Sequence, residues 1–142
     1  MFEVFIENAI AGKPLVLWGD IQKGRDIIYV KDVVSAIIAI INHDSVTGLY
    51  NIASGRQLSL IEQAEATINV FSPKENPSKI ICHKDKANNI RPFLYDISKA
   101  RKDFNWFPKY SLEQMLVDYR SEMMSRKFDF LLDKNKEFEQ AQ

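Results

Sequence analysis

Apolar positions in the first part of the chain fall into short blocks with either helix or strand spacing. Residues 2–11 place apolar side chains at intervals of three to four and stop at Gly12, which predicts an amphipathic helix. The run 15–18 is uniformly apolar, and a polar loop over 19–24 separates it from a second apolar run at 27–30. Both runs predict short strands.

The following segment, residues 33–43, is apolar on almost every side. It predicts a helix that neighbours bury on most sides, with Asp32 as its N-terminal cap. Gly48 then turns the chain into a further predicted strand at 49–53. Because helices and strands alternate in this way, we expect an α/β fold.

Two capping boxes predict where later helices begin. Ser59 is followed three residues later by Glu62, and Ser111 is followed in the same way by Gln114. At this spacing the serine hydroxyl accepts a hydrogen bond from the third helical amide, while the longer side chain accepts one from the amide of the serine. The first box predicts a helix that runs to about Phe71.

The region between these two helices predicts one strand and one short helix. A strand is expected at 79–83, and an irregular basic stretch follows over 84–95. Asp96 is the predicted cap of the short helix. We divide the chain into one α/β portion, residues 1–125, and a charged C-terminal helix or tail, residues 126–142.

Composition narrows the class of protein. The 142 residues are 46% hydrophobic with 19 basic and 19 acidic side chains, which suits one domain without long-range attraction to nucleic acid or an anionic membrane. The longest apolar run, 33–41, is interrupted by Ser35 and is too short to span a bilayer. The single cysteine, Cys82, cannot form an internal disulfide, which fits a reducing compartment. We therefore expect a cytoplasmic protein with neither a membrane nor a nucleic-acid partner.

The histidines and the cysteine do not predict a metal site. His43 and His83 are far apart in the sequence, and neither has a carboxylate or cysteine at the spacing of metal ligands. Cys82 is adjacent to His83, but neighbours on a strand point to opposite faces. We therefore predict no metal.

Three sequence blocks carry a family resemblance. They are Arg25-Asp26-Ile27-Ile28-Tyr29-Val30, Leu49-Tyr50-Asn51-Ile52-Ala53-Ser54-Gly55, and Asp96-Ile97-Ser98-Lys99-Ala100 with Asn105-Trp106-Phe107-Pro108. In this order and spacing they resemble the C-terminal, substrate-binding part of the NAD-dependent epimerase/dehydratase family. These are the extended short-chain dehydrogenases that act on nucleotide-diphosphate sugars. The resemblance covers roughly residues 2–120 and implies an α/β C-terminal lobe that lacks the N-terminal Rossmann dinucleotide-binding region.

The resemblance also implies what an intact enzyme of the family needs. A Gly-x-x-Gly-x-x-Gly loop cradles NAD, and a Tyr-x-x-x-Lys pair acts as acid and base. Both lie upstream of the matching region. The chain has no such loop, and we assign none of its five tyrosines to the pair. We therefore expect no catalytic residue and no cofactor in this chain, and no activity from it alone, with NAD as the cofactor of the intact enzyme.

Arg25 is the first candidate for binding the substrate. A guanidinium placed where a polar loop enters a strand can meet a diphosphate with its planar fork. From spacing alone, the favoured interpretation is a surface arginine paired with Asp20 or Asp26. The family's Arg-Asp-(aromatic)-x-Tyr-Val block implies the phosphate role, with Ile27 here in place of the aromatic residue.

Arg91 is the second candidate. It lies where the family has a Gly-Asp-Val-Arg-like stretch whose arginine makes the second diphosphate contact, and Asn88 stands at the glycine. Asparagine tolerates left-handed backbone better than most residues, so we expect the turn to survive. Apart from the resemblance, Arg91 would be an ordinary loop arginine.

Asn51 and Val16 complete the predicted substrate site. The amide of Asn51 can bind the nucleotide or sugar, or it can satisfy buried backbone at the end of a strand, and the sequence does not decide between these roles. Val16 matches the strand whose backbone meets the nucleobase in the family. We expect Trp18 and Tyr29 in the core rather than stacked on a base.

These features together predict the substrate-binding portion of a nucleotide-sugar epimerase/dehydratase that is catalytically incomplete by itself. The alternative is a non-catalytic nucleotide-sugar-binding or protein-interaction module. In the family, the helix predicted at 33–43 and the strand predicted at 49–53 return to the dinucleotide-binding region. We therefore expect self-association, or docking onto such a region, through the unpaired edge of that strand and the uncovered side of that helix.

Overall fold

Short strand pairs and helices alternate along residues 2–43, 46–88 and 90–126, the ranges that the computed structural model describes. The elements are α1 Phe2–Ile10, β1 Leu15–Trp18, β2 Gly24–Asp26, α2 Val30–Ile41, β3 Gln57–Ser59, α3 Leu60–Phe71, β4 Ile80–His83, α4 Ser98–Phe104 and α5 Leu112–Ser125. This mixture confirms the predicted α/β class. No helix in these ranges is long and apolar enough to cross a membrane. The tail predicted at 126–142 lies outside them, except for Arg126.

The described strands form two pairs. β1 and β4 are parallel, with Leu15 opposite Ile80, while β2 and β3 are antiparallel, with Arg25 opposite Leu58. A strand pair of three or four residues is not stable by itself. Helix packing and side-chain hydrogen bonds must therefore hold these pairs in place.

β1 contributes two of the most buried side chains to the first hydrophobic cluster. Leu15 and Leu17 are 0% and 1% exposed, whereas Val16 and Trp18 on the opposite face are 43% and 50% exposed. This alternation is the period-two pattern of a strand with one covered face. Trp18 is therefore not in the core, contrary to the prediction. The other buried residues of the cluster are Phe5, Ile6, Ala9, Leu60, Ala64, Val70, Phe71 and Leu116.

A second cluster lies between α2, α4 and the loop after α4. Its buried residues are Ala36, Ala53, Ile97, Ala100, Phe104 and Trp106. A short hydrogen-bond chain borders it, because Trp106 Nε1 donates to Ser35 Oγ at 2.8 Å and Ser35 Oγ donates to the carbonyl of Asp32 at 2.7 Å. The indole nitrogen therefore has a partner although Trp106 is buried.

α2 begins earlier than predicted, and Asp32 has a different role from capping. The residue at the N-terminal cap is Tyr29, whose side chain makes no capping hydrogen bond. Asp32 is 2% exposed, and its carboxylate accepts hydrogen bonds from the amides of Lys109 at 2.8 Å and Tyr110 at 3.2 Å. It fastens α2 to the loop before α5, and the predicted cap is wrong.

Two predicted strands are not found within the described residues. Residues 27–29 connect β2 to α2, and Val30 is the first residue of that helix. The strand lies earlier, at Gly24–Asp26, where Gly24 permits close pairing: a Cβ at Gly24 would overlap the carbonyl oxygen of Leu58. Residues 49–53 have no described strand beside them, and Leu49 is 92% exposed. A strand needs a hydrogen-bonding neighbour, which an apolar pattern does not supply.

Both capping boxes are formed as predicted. The amide of Glu62 donates to Ser59 Oγ at 3.3 Å, and the amide of Ser59 donates to Glu62 Oε2 at 2.8 Å. The corresponding distances for Ser111 and Gln114 are 3.2 and 2.9 Å. α3 and α5 therefore begin where predicted, and α3 ends at Phe71 as expected.

A charged cluster fastens the start of α2 to α5. Tyr29 Oη donates to Asp118 Oδ2 at 2.6 Å, and the Lys31 ammonium lies 2.6 Å from the same oxygen and 3.3 Å from Glu122 Oε1. Burial, followed by the hydrogen bond to Asp118, raises the pKa of Tyr29 from 10.0 to about 12. Hydrogen bonds from Lys31 and then Tyr29 lower the pKa of the Asp118 carboxyl.

Asp118→Asn should lower the pKa of Tyr29 from about 12 toward its ordinary value, because the substitution removes the negative charge beside the phenol. Spectrophotometric titration of phenolate absorbance measures this, and Tyr29→Phe identifies the signal. Since folding raises this pKa, the stability that it contributes is complete below about pH 10 and is lost as the pH rises toward 12.

Glu122→Gln is the matched control, because Glu122 contacts Lys31 and not Tyr29. It should leave the phenolate titration close to that of the parent chain. An equal fall of the Tyr29 pKa in both variants would show that the contact with Asp118 is not the cause.

Candidate functional site

Arg25 lies in the middle of β2 with its side chain toward solvent. Its backbone pairs with Leu58 of β3 on one side and forms a parallel bridge with Phe93 on the other. The guanidinium carbon lies 6.0 Å from the centre of the Phe93 ring, at the limit of a cation–π contact. Arg25 forms no ion pair with Asp20 or Asp26, the alternative partners. Its exposed guanidinium is therefore not paired with either of these two carboxylates.

Asp26, the next residue of β2, is turned inward and is 9% exposed. Its Oδ1 accepts from the amide of Ser54 at 2.8 Å and from the Ser54 hydroxyl at 2.5 Å. Its Oδ2 accepts from the amides of Gly55 at 3.0 Å and Tyr95 at 3.3 Å. One carboxylate therefore joins β2 to two segments that are distant in the sequence.

Residues 90–96, here named the 90–96 segment, run beside β2. The amide of Asp26 donates to the carbonyl of Phe93 at 3.1 Å. At the far end of the segment, Asn51 Nδ2 donates to the carbonyl of Asp96 at 3.0 Å. The segment is thus held by backbone bonding near its centre and by side chains from other segments toward its end.

Asn88 fastens the chain just before this segment. Its Nδ2 donates to the carbonyls of Trp18 at 2.6 Å and Asp20 at 3.1 Å. Its backbone is not left-handed. Among the described residues other than glycine, a positive φ angle occurs at Asn105 and at Arg126, and not at Asn88. The expected left-handed turn is therefore wrong, and Asn88 shapes this part of the chain through its side chain instead.

The structure attaches three of the four predicted substrate residues to the 90–96 segment. Arg91 lies on it and is exposed, Arg25 contacts it through the bridge to its centre, and Asn51 bonds its last carbonyl. Val16 lies apart from these three on β1, where it is 43% exposed and pairs with Ile81 of β4. Substrate binding by these four residues stays a prediction.

Aromatic side chains on this surface were not predicted. Phe93 and Tyr95 are half-exposed, with ring centres 5.3 Å apart in an edge-to-face arrangement. Lys86 Nζ lies 5.0 Å from the centre of the Trp18 ring. The available signal was the alternate spacing of Arg91, Phe93 and Tyr95, which is typical of an extended segment with one shared face.

One Tyr-x-x-x-Lys spacing does occur in the chain, at Tyr95 and Lys99, although no tyrosine was assigned to such a pair. Lys99 belongs to α4, whereas Tyr95 precedes that helix, so the two side chains do not lie on successive turns of one helix. Lys99 Nζ instead donates to the carbonyl of Leu49 at 3.0 Å and lies 4.1 Å from the centre of the Tyr50 ring. This arrangement gives no support to an acid–base role for the pair.

A cleft of about 770 Å³ lies beside α5 and is lined by Lys109, Tyr110, Glu113, Gln114, Val117, Asp118 and Ser121. None of the four predicted substrate residues lines it. Within the described ranges, no group of three or more histidine, cysteine, aspartate or glutamate side chains is placed to hold a metal ion. The candidate site is therefore the surface around the 90–96 segment.

Comparison with known proteins places this surface in a family context. The family model for GDP-mannose 4,6 dehydratase matches residues 2–119. UDP-glucuronic acid decarboxylase 1 of Arabidopsis thaliana is 29% identical over 125 residues, covering 85% of this chain and 28% of that protein. The dTDP-glucose 4,6-dehydratase of Xanthomonas campestris pv. campestris is 28% identical over 121 residues, covering 80% and 34%.

Solved structures show the same fold. The dTDP-glucose 4,6-dehydratase from Bacillus anthracis, in complex with NAD, superposes with a TM-score of 0.66 at 26% identity, covering 89% of this chain and 39% of that one. These matches confirm the resemblance to the epimerase/dehydratase family and the expected fold, a part of an extended short-chain dehydrogenase. The chain spans between 28 and 39% of the length of these three relatives.

Proposed function

Because this chain belongs to the GDP-mannose 4,6 dehydratase family, we propose that it is the nucleotide-sugar-binding portion of an NAD-dependent epimerase/dehydratase. The observation that carries the proposal is the 90–96 segment, which links Arg91 to the exposed Arg25 on one surface. The names of two relatives refer to UDP-glucuronic acid and dTDP-glucose. The proposed ligand is accordingly a nucleotide-diphosphate sugar.

Arg25 and Arg91 are the proposed contacts of the diphosphate. Neither guanidinium forms an ion pair with a carboxylate of the described residues, so both charges are available to a ligand. A planar guanidinium presents parallel N–H donors that match phosphate oxygens and stays charged at neutral pH. The Phe93 ring lies beside Arg25, with its centre 6.0 Å from the guanidinium carbon.

Asn51 and Val16 are the proposed contacts of the sugar or base. Asn51 uses one amide hydrogen on the carbonyl of Asp96, which leaves a second hydrogen and the amide oxygen for a ligand. The bond to Asp96 is thus compatible with a contact between Asn51 and a ligand. Val16 would meet the nucleobase through its backbone, on the face of β1 where Trp18 is 50% exposed.

The proposed portion is catalytically incomplete because no dinucleotide loop is present in its sequence. In the intact enzyme NAD would be held by another region, as expected from the Gly-rich loop of the family. The solved dehydratase that contains NAD is more than twice as long as the part that matches this chain.

α2 carries the proposed contact surface for that other region. Five apolar side chains at helical spacing are 48–73% exposed, and we name them the α2 stripe: Val30, Val34, Ile37, Ile38 and Ile41. An apolar stripe of this kind is typical of a helix that another element covers. We propose that the dinucleotide-binding region covers it in an intact enzyme, and that a second copy covers it when the chain is alone.

Arg25→Ala and Arg91→Ala should each weaken binding of UDP or TDP about tenfold to a hundredfold, because a charge-assisted hydrogen bond contributes about 1.5–3 kcal/mol. Titration followed by NMR measures the affinity. Arg56→Ala is the matched control: Arg56 is exposed, lies on the β3 side of β2 and is already paired with Glu62. Unchanged affinity in both test variants would reject the phosphate assignment.

The 142-residue chain by itself should show no saturable binding of NAD and no formation of NADH with UDP- or dTDP-sugars. The physical reason is the missing Gly-rich loop. Calorimetry with NAD and absorbance assays of NADH test both points, with a UDP titration of the same preparation as the positive control. Saturable NAD binding would reveal a dinucleotide site in this chain and contradict the proposal.

Ile37→Lys combined with Ile41→Lys should reduce self-association of the isolated chain, because two charges on the α2 stripe oppose its burial. Light scattering at increasing concentration measures the mass. Val117→Lys is the control, since Val117 is a similarly exposed apolar residue, 53% exposed, on α5 rather than on α2. A parent chain that stays monomeric at high concentration and melts cooperatively would instead favour an independent, non-catalytic module.

A further inference from the structure

We propose that Asp26 is a positioning residue for the diphosphate site, holding the 90–96 segment so that Arg91 and Arg25 face one ligand. The proposal rests on the function proposed above and adds a residue that touches no substrate. Its basis is geometric. Arg25 and Asp26 are neighbours on one strand, and their side chains point to opposite faces. The hydrogen bonds of the buried carboxylate therefore fix the orientation of the strand, and with it the direction in which the exposed guanidinium points.

The carboxylate of Asp26 is surrounded by donors. Each of its two oxygens accepts two hydrogen bonds. Oδ1 accepts from the amide and the hydroxyl of Ser54, and Oδ2 accepts from the amides of Gly55 and Tyr95. A buried carboxylate is costly unless hydrogen bonds replace its water. Because these donors come from two segments, loss of the carboxylate would remove one attachment of each segment to β2, and the 90–96 segment would keep its backbone bond at Phe93.

The bond from the Tyr95 amide is the one that reaches the proposed site. The 90–96 segment has no regular pairing beyond a single bridge at Phe93. Near its end it is held by Asp26 at Tyr95 and by Asn51 at Asp96. Without Asp26, the chain around Phe93 loses one of its few attachments, and Arg91 is carried by that same stretch.

Asp32 provides a matched control within the same chain. It is also a buried aspartate, 2% exposed, and it also accepts from backbone amides, those of Lys109 and Tyr110. Its bonds fasten α2 to the loop before α5 rather than to the 90–96 segment. Asp32→Asn and Asp26→Asn should therefore both destabilise the fold, but only the second should disturb the site.

A double-mutant cycle separates positioning from general destabilisation. UDP affinity is measured by NMR for Arg91→Ala made in the parent, Asp26→Asn and Asp32→Asn chains. Arg91→Ala lowers UDP affinity by some factor in each chain. We expect that factor to be at least threefold smaller in the Asp26→Asn chain than in the parent, and to equal the parent value in the Asp32→Asn chain. An equal loss in all three chains would overturn the positioning role. No loss from Arg91→Ala or Arg25→Ala in the parent would instead reject the proposed function.

A ligand-free measurement tests the inference even where UDP binds weakly. In Asp26→Asn, the amide resonances of Arg91, Phe93 and Tyr95 should shift and exchange faster with solvent, and in Asp32→Asn they should not. Resonances that stay unchanged in a folded Asp26→Asn chain would overturn the inference. If that chain does not fold, Tyr95→Pro replaces it and the amides of Arg91 and Phe93 are followed, because proline removes the N–H donor at this position and leaves the bonds from Ser54 and Gly55 intact. Tyr95→Ala, which removes the ring beside Phe93 and keeps the N–H, is the control for that variant.

Discussion

Buried carboxylates that accept hydrogen bonds from backbone amides hold together segments that lie far apart in this chain. Asp26 joins β2 to residues 54–55 and to Tyr95, and Asp32 joins α2 to residues 109–110. The strands are only three or four residues long, so ladder bonds contribute little to their placement. Each carboxylate instead accepts hydrogen bonds from several backbone amides and so holds the segments that carry them. The loops that carry the candidate site therefore have defined positions although they lack regular structure.

Features encoded within a few residues could be predicted from the sequence. The capping boxes at Ser59 and Ser111 specify both donors and acceptors at short range, and both formed. β1 at 15–18 was likewise predicted, because a short apolar run after a turn is typical of a strand. The strand that pairs with it, at 80–83, begins one residue later than predicted. The family resemblance also rested on local blocks, and the match over residues 2–119 confirms it.

Features that depend on distant partners could not be predicted in this way. Residues 49–53 have the apolar pattern of a strand, but pairing requires a neighbour that the pattern does not specify. Asp32 has the sequence position of a cap, yet its partners are amides more than seventy residues away. The spacing of Tyr95 and Lys99 matches a catalytic motif, but only a shared helix would bring the two side chains together. For the candidate site, the family resemblance led to the prediction of Arg25 and Arg91 as phosphate contacts, which stays a prediction, whereas Asp26 was considered only as an ion-pair partner.

The two kinds of surface on this chain differ in how complete they are. Around the 90–96 segment, Asp26 accepts from the amide of Tyr95 and Asn51 donates to the carbonyl of Asp96, so side chains of this same chain hold the segment. The α2 stripe is the opposite case, since apolar side chains of a well-formed helix remain exposed. Under the proposed function this difference has a simple meaning. Ligand recognition uses groups that this chain positions by itself, whereas chemistry requires a second region, and the stripe is the surface on which that region would dock.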